Sequence, residues 1–231
     1  MRLFHLLLFT LPFFVFAQEL SLEQDISPTI KALQEEEFAA MKNEDWKAMA
    51  TVRDRLHETV TSSTVQPVNL EDRHGEIWNL GVLNQPFVVH GVTNWASRLN
   101  DMKIAAANVV ADENATELMT FLLMPEPRNA ADSQRLASVS ENIIVVFMEV
   151  TKVKERKPGD TRLLSLFNAF PVTYYIRPDR RIAGVKLGAR APNAKKGNVA
   201  ETTYEQAHAS NLKTLRKDVK KLLRGKKIKP R

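Results

Sequence analysis

Residues 170–182 read Phe-Pro-Val-Thr-Tyr-Tyr-Ile-Arg-Pro-Asp-Arg-Arg-Ile. From Val172 to Ile176 every side chain is β-branched or aromatic, which is the composition of a strand. Proline is tolerated at the start of a strand, so Pro171 can open this one. The pair Pro178-Asp179 favours a turn, and residues 182–187 favour a returning strand. The stretch therefore predicts a β-hairpin.

Outward from the hairpin, the sequence predicts an α/β fold with a mixed sheet and helices on both faces. Apolar runs predict strands at residues 68–70, 76–80, 87–92 and 142–150. Helical composition is expected over most of residues 97–123, over two short pieces at 133–137 and 162–169, and in a final helix that opens with a capping box at Thr202–Glu205. Residues 226–231 are expected to form a loose basic tail.

The hairpin also resembles the element F-P-T-T-F-L-I-D-x-D-G-x-I of exported thioredoxin-like proteins, the TlpA-like thiol-disulfide oxidoreductases. A second resemblance lies in residues 86–99, Pro-Phe-Val-Val-His-Gly-Val-Thr-Asn-Trp-Ala-Ser-Arg-Leu, which are similar to the family's P-V-V-L-N-F-W-A-T-W-C-P-P-C. Trp95 falls on the motif tryptophan, Ala96 on the attacking cysteine and Leu99 on the resolving one. The resemblance covers roughly residues 65–190 and implies a cis bond before Pro171.

The chain departs from this family in one decisive respect, because it contains no cysteine. Thiol-disulfide exchange needs a thiolate, which this chain cannot supply. The resemblance therefore implies a thioredoxin fold without thioredoxin chemistry. It also implies a shallow groove that could still hold an extended peptide. The groove residues are Trp95, Ala96, Leu99, Phe170 and Pro171; alternatively, Trp95 is a packed aromatic and Pro171 a remnant of the scaffold.

Four segments are expected along the chain of 231 residues. Residues 1–17 form a short apolar run that ends in Val15-Phe16-Ala17, which predicts a signal peptide and a mature chain that does not span a membrane. Residues 18–64 predict two helices with apolar stripes that include Phe38, Met41 and Trp46. They are expected to form a helical appendage packed on the main domain or, alternatively, a separate dimerisation or partner-binding hairpin. A thioredoxin-like domain follows at 65–190, and 191–231 add its loop, last helix and tail.

Few residues of the chain are candidates for catalysis or metal binding. The histidines show no metal-binding spacing, so we expect no metal and no cofactor. His90 lies in the strand before the motif loop, and Ser97 begins the helix after it. They are candidates for a polar site, although the favoured interpretations are a hydrogen-bonded core or rim histidine and a hydroxyl at a helix start.

Charge is distributed unevenly: from Arg180 onward there are sixteen Lys/Arg against three Asp/Glu, and before it seventeen against twenty-four. The last helix accordingly predicts a basic surface, which is either a solvated face or a contact for an anionic partner. Nucleic acid is an unsuitable partner for an exported protein in which no aromatic residues are interleaved with the basic residues of this helix. The basic residues are Lys213, Arg216, Lys217, Lys220, Lys221 and Arg224.

Three functions remain open at this point. The first is an exported, periplasmic or secreted, non-catalytic binding or scaffold module for a protein or peptide partner. The second is an oxidoreductase or peroxidase-related protein that acts through a non-cysteine site or a partner's thiols. The third is an envelope structural protein that binds an acidic component through its basic helix.

Overall fold

A computed structural model describes residues 20–61, 63–92, 97–148, 159–167, 170–193 and 200–229. The helices are α1 (Ser27–Lys42), α2 (Trp46–Thr61), α3 (Arg98–Glu113), α4 (Ala130–Ala137) and α5 (Tyr204–Leu223). The strands are β1 (Asn69–Glu71), β2 (Ile77–Asn79), β3 (Phe87–Gly91), β4 (Met119–Met124), β5 (Ile143–Phe147), β6 (Val172–Ile176) and β7 (Ile182–Leu187). A 3₁₀ turn spans Leu163–Ser165.

The main sheet has five strands in the order β5-β4-β3-β6-β7. Strands β3, β4 and β5 run parallel, and β6 and β7 form the predicted antiparallel hairpin beside β3. Both faces of the sheet are covered by helices, so its strands are almost wholly buried. The predicted α/β class with a mixed sheet is confirmed. Strands β1 and β2 form a separate two-stranded sheet.

One strand was not expected from the sequence. The stretch predicted as mostly helical, residues 97–123, divides into α3 and β4, with the break at Asn114. The run Met119–Met124 is apolar throughout and buried at five of its six positions. A short continuous apolar run has no periodicity that separates a buried strand from a buried helix. Only its position between β3 and β5 identifies it.

The N-terminal helices are part of the main core. Ile30 and Leu33 of α1 and Leu56 and Val60 of α2 join one apolar cluster with strand residues such as Phe121. This agrees with the interpretation that the helices pack on the main domain. Burying such side chains contributes roughly 1.5–3 kcal/mol each.

The predicted apolar stripe of these helices was wrong at three positions. Phe38, Met41 and Trp46 are exposed, with 60%, 41% and 62% of their surface accessible. The buried face of α1 continues through Glu37 and Ala40, which are in helical phase with Ile30 and Leu33. The Glu37 carboxylate can be buried because Arg53 Nε of α2 lies 2.5 Å from Glu37 Oε1.

On the opposite face, α3 and α5 pack on the sheet and on each other. The expected apolar face of α5 is confirmed at Leu215, Val219 and Leu222. Its capping box is formed by Thr203 and Gln206, one residue later than predicted. In α1, by contrast, Ile26 holds the N-cap position, and Ser27 is the first helical residue and makes no capping hydrogen bond.

The segment after α5 is not loose over the part that the structure describes. Ile228 is buried, and its backbone N–H donates to the Ala183 carbonyl at 2.9 Å. Gly184 makes this docking possible, because a Cβ there would lie 2.5 Å from the Ile228 carbonyl oxygen. The basic composition predicted a solvated tail, whereas one apolar side chain fastens it to the edge of the sheet. Residues 230–231 lie outside the described residues.

Within the described ranges, no helix combines the length and the apolar character that crossing a bilayer requires.

Candidate functional site

The expected groove elements meet at one end of the sheet. In the β3–β6 pairing Gly91 lies opposite Val172, so the chain leaving β3 and the chain entering β6 are neighbours there. Pro171 is buried and Phe170 half-buried, and the peptide bond between them is cis. The backbone N–H of Gly188, after β7, donates to the Pro171 carbonyl at 2.6 Å. Three chain segments thus converge at what we call the sheet-end site.

Helix α3 begins at the same end, because it follows β3. Ser97 precedes its first residue in an extended conformation, and its hydroxyl makes no capping hydrogen bond. Leu99 is half-buried. The two remaining groove residues proposed from the resemblance, Trp95 and Ala96, lie outside the described residues. Of the predicted set, Phe170 and Pro171 belong to the sheet-end site, and Leu99 lies in the first turn of the helix that follows β3.

A cavity of about 310 Å³ opens beside the first two turns of α3. Pro192 belongs to the loop after β7, and Tyr204 to the first turn of α5. Tyr204 is 52% exposed and stacks on His208 with ring centroids 6.4 Å apart. Asp101 pairs with Arg135 at 3.7 Å, which leaves the Arg98 guanidinium as the cation of the cavity wall. The lining residues are Arg98, Asp101, Met102, Pro192 and Tyr204.

Sequence reasoning did not identify this cavity. Its five residues come from a helix start, a loop and a second helix, which are distant in the chain. Tyr204 was noted only as part of a helix start, and Pro192 only as part of a loop. The available signal was an exposed aromatic residue beside a capping residue, which is common on helix surfaces.

His90 is placed far from solvent. It is 1% exposed, and its Nδ1 lies 3.0 Å from the Thr173 hydroxyl oxygen on the neighbouring strand. Burial, helped by the charge of Lys103, holds the pKa of His90 well below its usual value. A neutral, buried imidazole has no access to a substrate at the surface, so the geometry favours a hydrogen-bonded core histidine over a reactive one.

A polar row crosses this half of the sheet beneath α3 and α5. His90, Thr173 and Lys186 are in register on three adjacent strands. Lys103 of α3 is 8% exposed, and burial, reinforced by the charge of Lys186 and opposed by that of Asp218, lowers its pKa to about 8. Asp218 of α5 is also buried, with its carboxylate 3.9 Å from the Lys186 amino group. We call these five residues the polar row.

A second, larger cavity lies at the other end of the sheet. It has a volume of about 520 Å³ and is bounded by the β1–β2 hairpin and by the first residues of β4 and β5. Within it the indole N–H of Trp78 donates to Asp72 at 3.0 Å, and the backbone N–H of Arg73 donates to the Val145 carbonyl at 2.8 Å. These contacts attach the hairpin to the edge of the sheet.

The predicted basic surface divides into paired and unpaired residues. Arg216 forms an ion pair with Glu113 of α3. Lys221 is half-buried, and its amino group lies 3.7 Å from Asp218. The other four members, Lys213, Lys217, Lys220 and Arg224, are exposed. Among the described residues, no group of three or more His, Asp or Glu side chains is arranged to hold a metal ion.

No family model matches the chain, and no curated protein matches it in sequence. Among solved structures it is similar to the thioredoxin domain of a thiol-disulfide oxidoreductase from Bacteroides vulgatus, with 12% identity, a TM-score of 0.42 and coverage of 68% of this chain and 96% of that one. It is also similar to the peroxidoxin BcpB from Mycobacterium tuberculosis, with 18% identity, a TM-score of 0.39 and coverage of 67% of this chain and 94% of that one. For a secreted disulfide oxidoreductase from Mycobacterium tuberculosis, the identity is 11%, the TM-score 0.36 and the coverage 62% of this chain and 95% of that one.

The fold is thioredoxin-like in the order of its elements. Parallel strands connected by helices are followed by an antiparallel hairpin and a last helix. The chain contains no cysteine.

Proposed function

We propose that the protein is an exported, non-catalytic binding module that holds an extended segment of a partner protein at the sheet-end site. The observation that carries the proposal is an open cavity lined by the start of α3, the loop after β7 and the first turn of α5. The loop after β7 begins at Gly188, which donates to the Pro171 carbonyl at the sheet-end site. Such a site needs no reactive side chain, because backbone hydrogen bonds and one apolar pocket are sufficient to hold a peptide.

The cavity wall supports a ligand of mixed character. Met102, Pro192 and Tyr204 offer an apolar surface, and Arg98 places a positive charge at the rim. An apolar or aromatic side chain followed by a carboxylate suits this combination. Exposed aromatic and arginine side chains contribute most of the energy in many interfaces.

A panning experiment tests this proposal. We expect a library of random peptides displayed on phage to yield binders to the purified protein, with acidic residues beside an apolar one. Y204A and R98A should weaken those peptides at least tenfold. W46A and R128A remove an exposed aromatic and an exposed arginine elsewhere and serve as matched controls. Failure to enrich any peptide, or equal loss in controls and site variants, contradicts the proposal.

Activity assays distinguish the proposed binding module from the alternative, an oxidoreductase. A chain without cysteine should give no insulin reduction, disulfide isomerisation or thiol-dependent peroxidase activity. The same assays with a thiol-containing partner extract test whether it works through another protein's thiols. Reproducible turnover absent from a mock purification contradicts the non-catalytic proposal.

Export is proposed from the apolar run at residues 1–17. N-terminal sequencing of protein expressed in its native cells should find a mature chain that begins at Gln18. Recovery of the full-length chain from the cytoplasmic fraction alone contradicts export.

A further inference from the structure

The exposed face of α5 carries a straight line of positive charge. Lys213, Lys217, Lys220 and Arg224 follow one another at steps of four, three and four residues. This spacing keeps them within one narrow stripe of a helix, over about 16 Å at a rise of about 1.5 Å per residue. The buried residues Leu215 and Leu222 lie on the opposite side, so the stripe points away from the core. We call these four residues the basic stripe.

The stripe is not neutralised by any acidic side chain among the described residues. Arg216 and Lys221, on its two flanks, are the residues of this helix that pair with Glu113 and Asp218. In the part of the chain that the structure describes, no member of the basic stripe has an acidic side chain within ion-pair distance. Four like charges at neighbouring positions repel one another, which costs stability unless an anion binds.

The positive line extends beyond the helix. Lys226 and Lys227 are exposed directly after it, and the docked Ile228 fixes their backbone. The Arg177 guanidinium donates to the Gly225 carbonyl at 2.9 Å and holds the same turn. A ligand that follows the stripe would therefore meet two further lysines on an ordered segment.

The surroundings favour a narrow ligand over a broad anionic plane. Asp112 and Glu113, at the end of the adjacent α3, are exposed beside the helix. The chain before Arg180 carries seven more acidic than basic residues, since seventeen Lys/Arg face twenty-four Asp/Glu. A flat anionic membrane would approach these acidic groups as well. Tyr204, the large exposed apolar residue of α5, lies on the side of the helix opposite the stripe, so nothing on the stripe itself inserts into lipid.

We propose that the basic stripe binds a linear polyanion, namely an acidic polysaccharide that carries carboxylate or sulfate groups along its chain. Such a polymer can lie along the helix and contact the four stripe residues in turn, while the exposed Asp112 and the net negative charge of the chain before Arg180 disfavour a wider anionic surface. This site is separate from the sheet-end site, and its binding does not depend on the peptide proposed there.

The test measures binding of the purified protein to heparin, a sulfated polysaccharide, at rising salt. We expect binding that weakens steeply with salt, because screening shortens the range of attraction to about 8 Å at physiological ionic strength. The variant K213Q/K217Q/K220Q/R224Q should lose at least tenfold in affinity. Glutamine preserves helix propensity, and circular dichroism verifies that the variant is folded.

A matched control carries the same change of charge elsewhere. The variant K31Q/K42Q/K47Q/R128Q replaces three exposed lysines and one exposed arginine outside α5 and should bind within about threefold of the parent, because long-range charge contributes little at physiological salt. Equal losses in both variants would mean that net charge alone drives binding, and no loss in the stripe variant would overturn the site. Vesicles with anionic lipid provide the last arm: if they compete with heparin at equal charge concentration, the preference for a linear ligand is overturned.

Discussion

The two faces of the main sheet are built on different principles. Towards α1 and α2, the buried strand residues are apolar or aromatic, such as Phe87, Val89 and Phe121. Towards α3 and α5, the middle of the sheet is covered by the polar row, which includes the buried Lys103 and Asp218 of the two helices. Apolar burial stabilises at roughly 25 cal/mol per Å². Buried charge costs free energy unless its pairing is close.

The two faces should therefore contribute differently to the free energy of unfolding. The α1–α2 face should contribute most of the stability, although sequence reasoning treated these helices as an appendage. The α3–α5 face should contribute less per residue and should make the protein sensitive to pH. Four predictions test this difference.

The largest effect is expected from Leu56→Ala on the α1–α2 face. Leu56 is fully buried, so its loss leaves a cavity in the shared core. We expect the free energy of unfolding to fall by about 2–5 kcal/mol in urea denaturation. Lys47→Ala, exposed on the same helix, is the control. A loss similar to that of the control would show that α2 contributes little to the core.

A gain in stability is expected from Lys103→Met on the other face. The pKa of Lys103 is lowered to about 8 from 10.5, so the unfolded chain binds more protons between these pH values. Stability of the parent protein should therefore rise through this window. Since one pKa unit corresponds to about 1.4 kcal/mol, the variant should gain roughly 3 kcal/mol at pH 7 and little above pH 10.5.

Urea denaturation at pH 7 and pH 10.5 measures this difference, with Lys47→Met as the control for an exposed lysine. A variant that is less stable than the parent at pH 7 would mean that Lys103 is well compensated by Asp218.

A smaller effect on the free energy of unfolding is expected at acidic pH. Burial lowers the pKa of His90, so the unfolded chain binds more protons below about pH 6.5 and stability falls as pH drops. The double variant H90L/T173V removes both partners of the hydrogen bond. It should change the free energy of unfolding little at pH 7, and its stability should fall less than that of the parent between pH 6.5 and pH 5.

His57 remains in that variant, and burial lowers its pKa too, so some acid sensitivity should persist. Thermal melts across this pH range provide the measurement. Identical pH profiles for the parent and the double variant would contradict the role given to His90.

The smallest effect compares the helix starts on the two faces. Thr203 caps α5 through the amide N–H of Gln206, whereas Ser27 makes no cap at α1. Thr203→Ala should therefore lower the free energy of unfolding by about 1 kcal/mol. Ser27→Ala should change the free energy of unfolding by only a few tenths of a kcal/mol. Equal costs would mean that Ser27 caps α1 in solution.

Local patterns in the sequence predicted much of the fold. The hairpin, β3, β5 and α5 were all identified from β-branched runs or from helical periodicity. Two of the differences have clear physical causes. Strand β4 lacks periodicity because it is buried on both faces. The stripe expected through Phe38 and Met41 is displaced because Glu37 is buried, and its burial depends on Arg53 of another helix.

The candidate site was predicted only in part. The resemblance indicated Phe170 and Pro171, which meet the chain leaving β3 at one end of the sheet, and Leu99, which lies in the first turn of α3. The cavity beside the start of α3 depends on Pro192 and Tyr204, which are far from α3 in sequence. Likewise, the basic character of α5 was evident from composition, whereas its division into paired and unpaired residues depends on Glu113 and Asp218.

By itself, the sequence determined the absence of a thiol nucleophile, the uneven charge and the elements with strong local periodicity, because these depend on residue identity and near neighbours. The tertiary structure decided which apolar residues are buried, where Lys103 and Asp218 are enclosed and where Ile228 docks. These depend on surfaces from distant segments, and burial and charge pairing exist only once those surfaces are in contact.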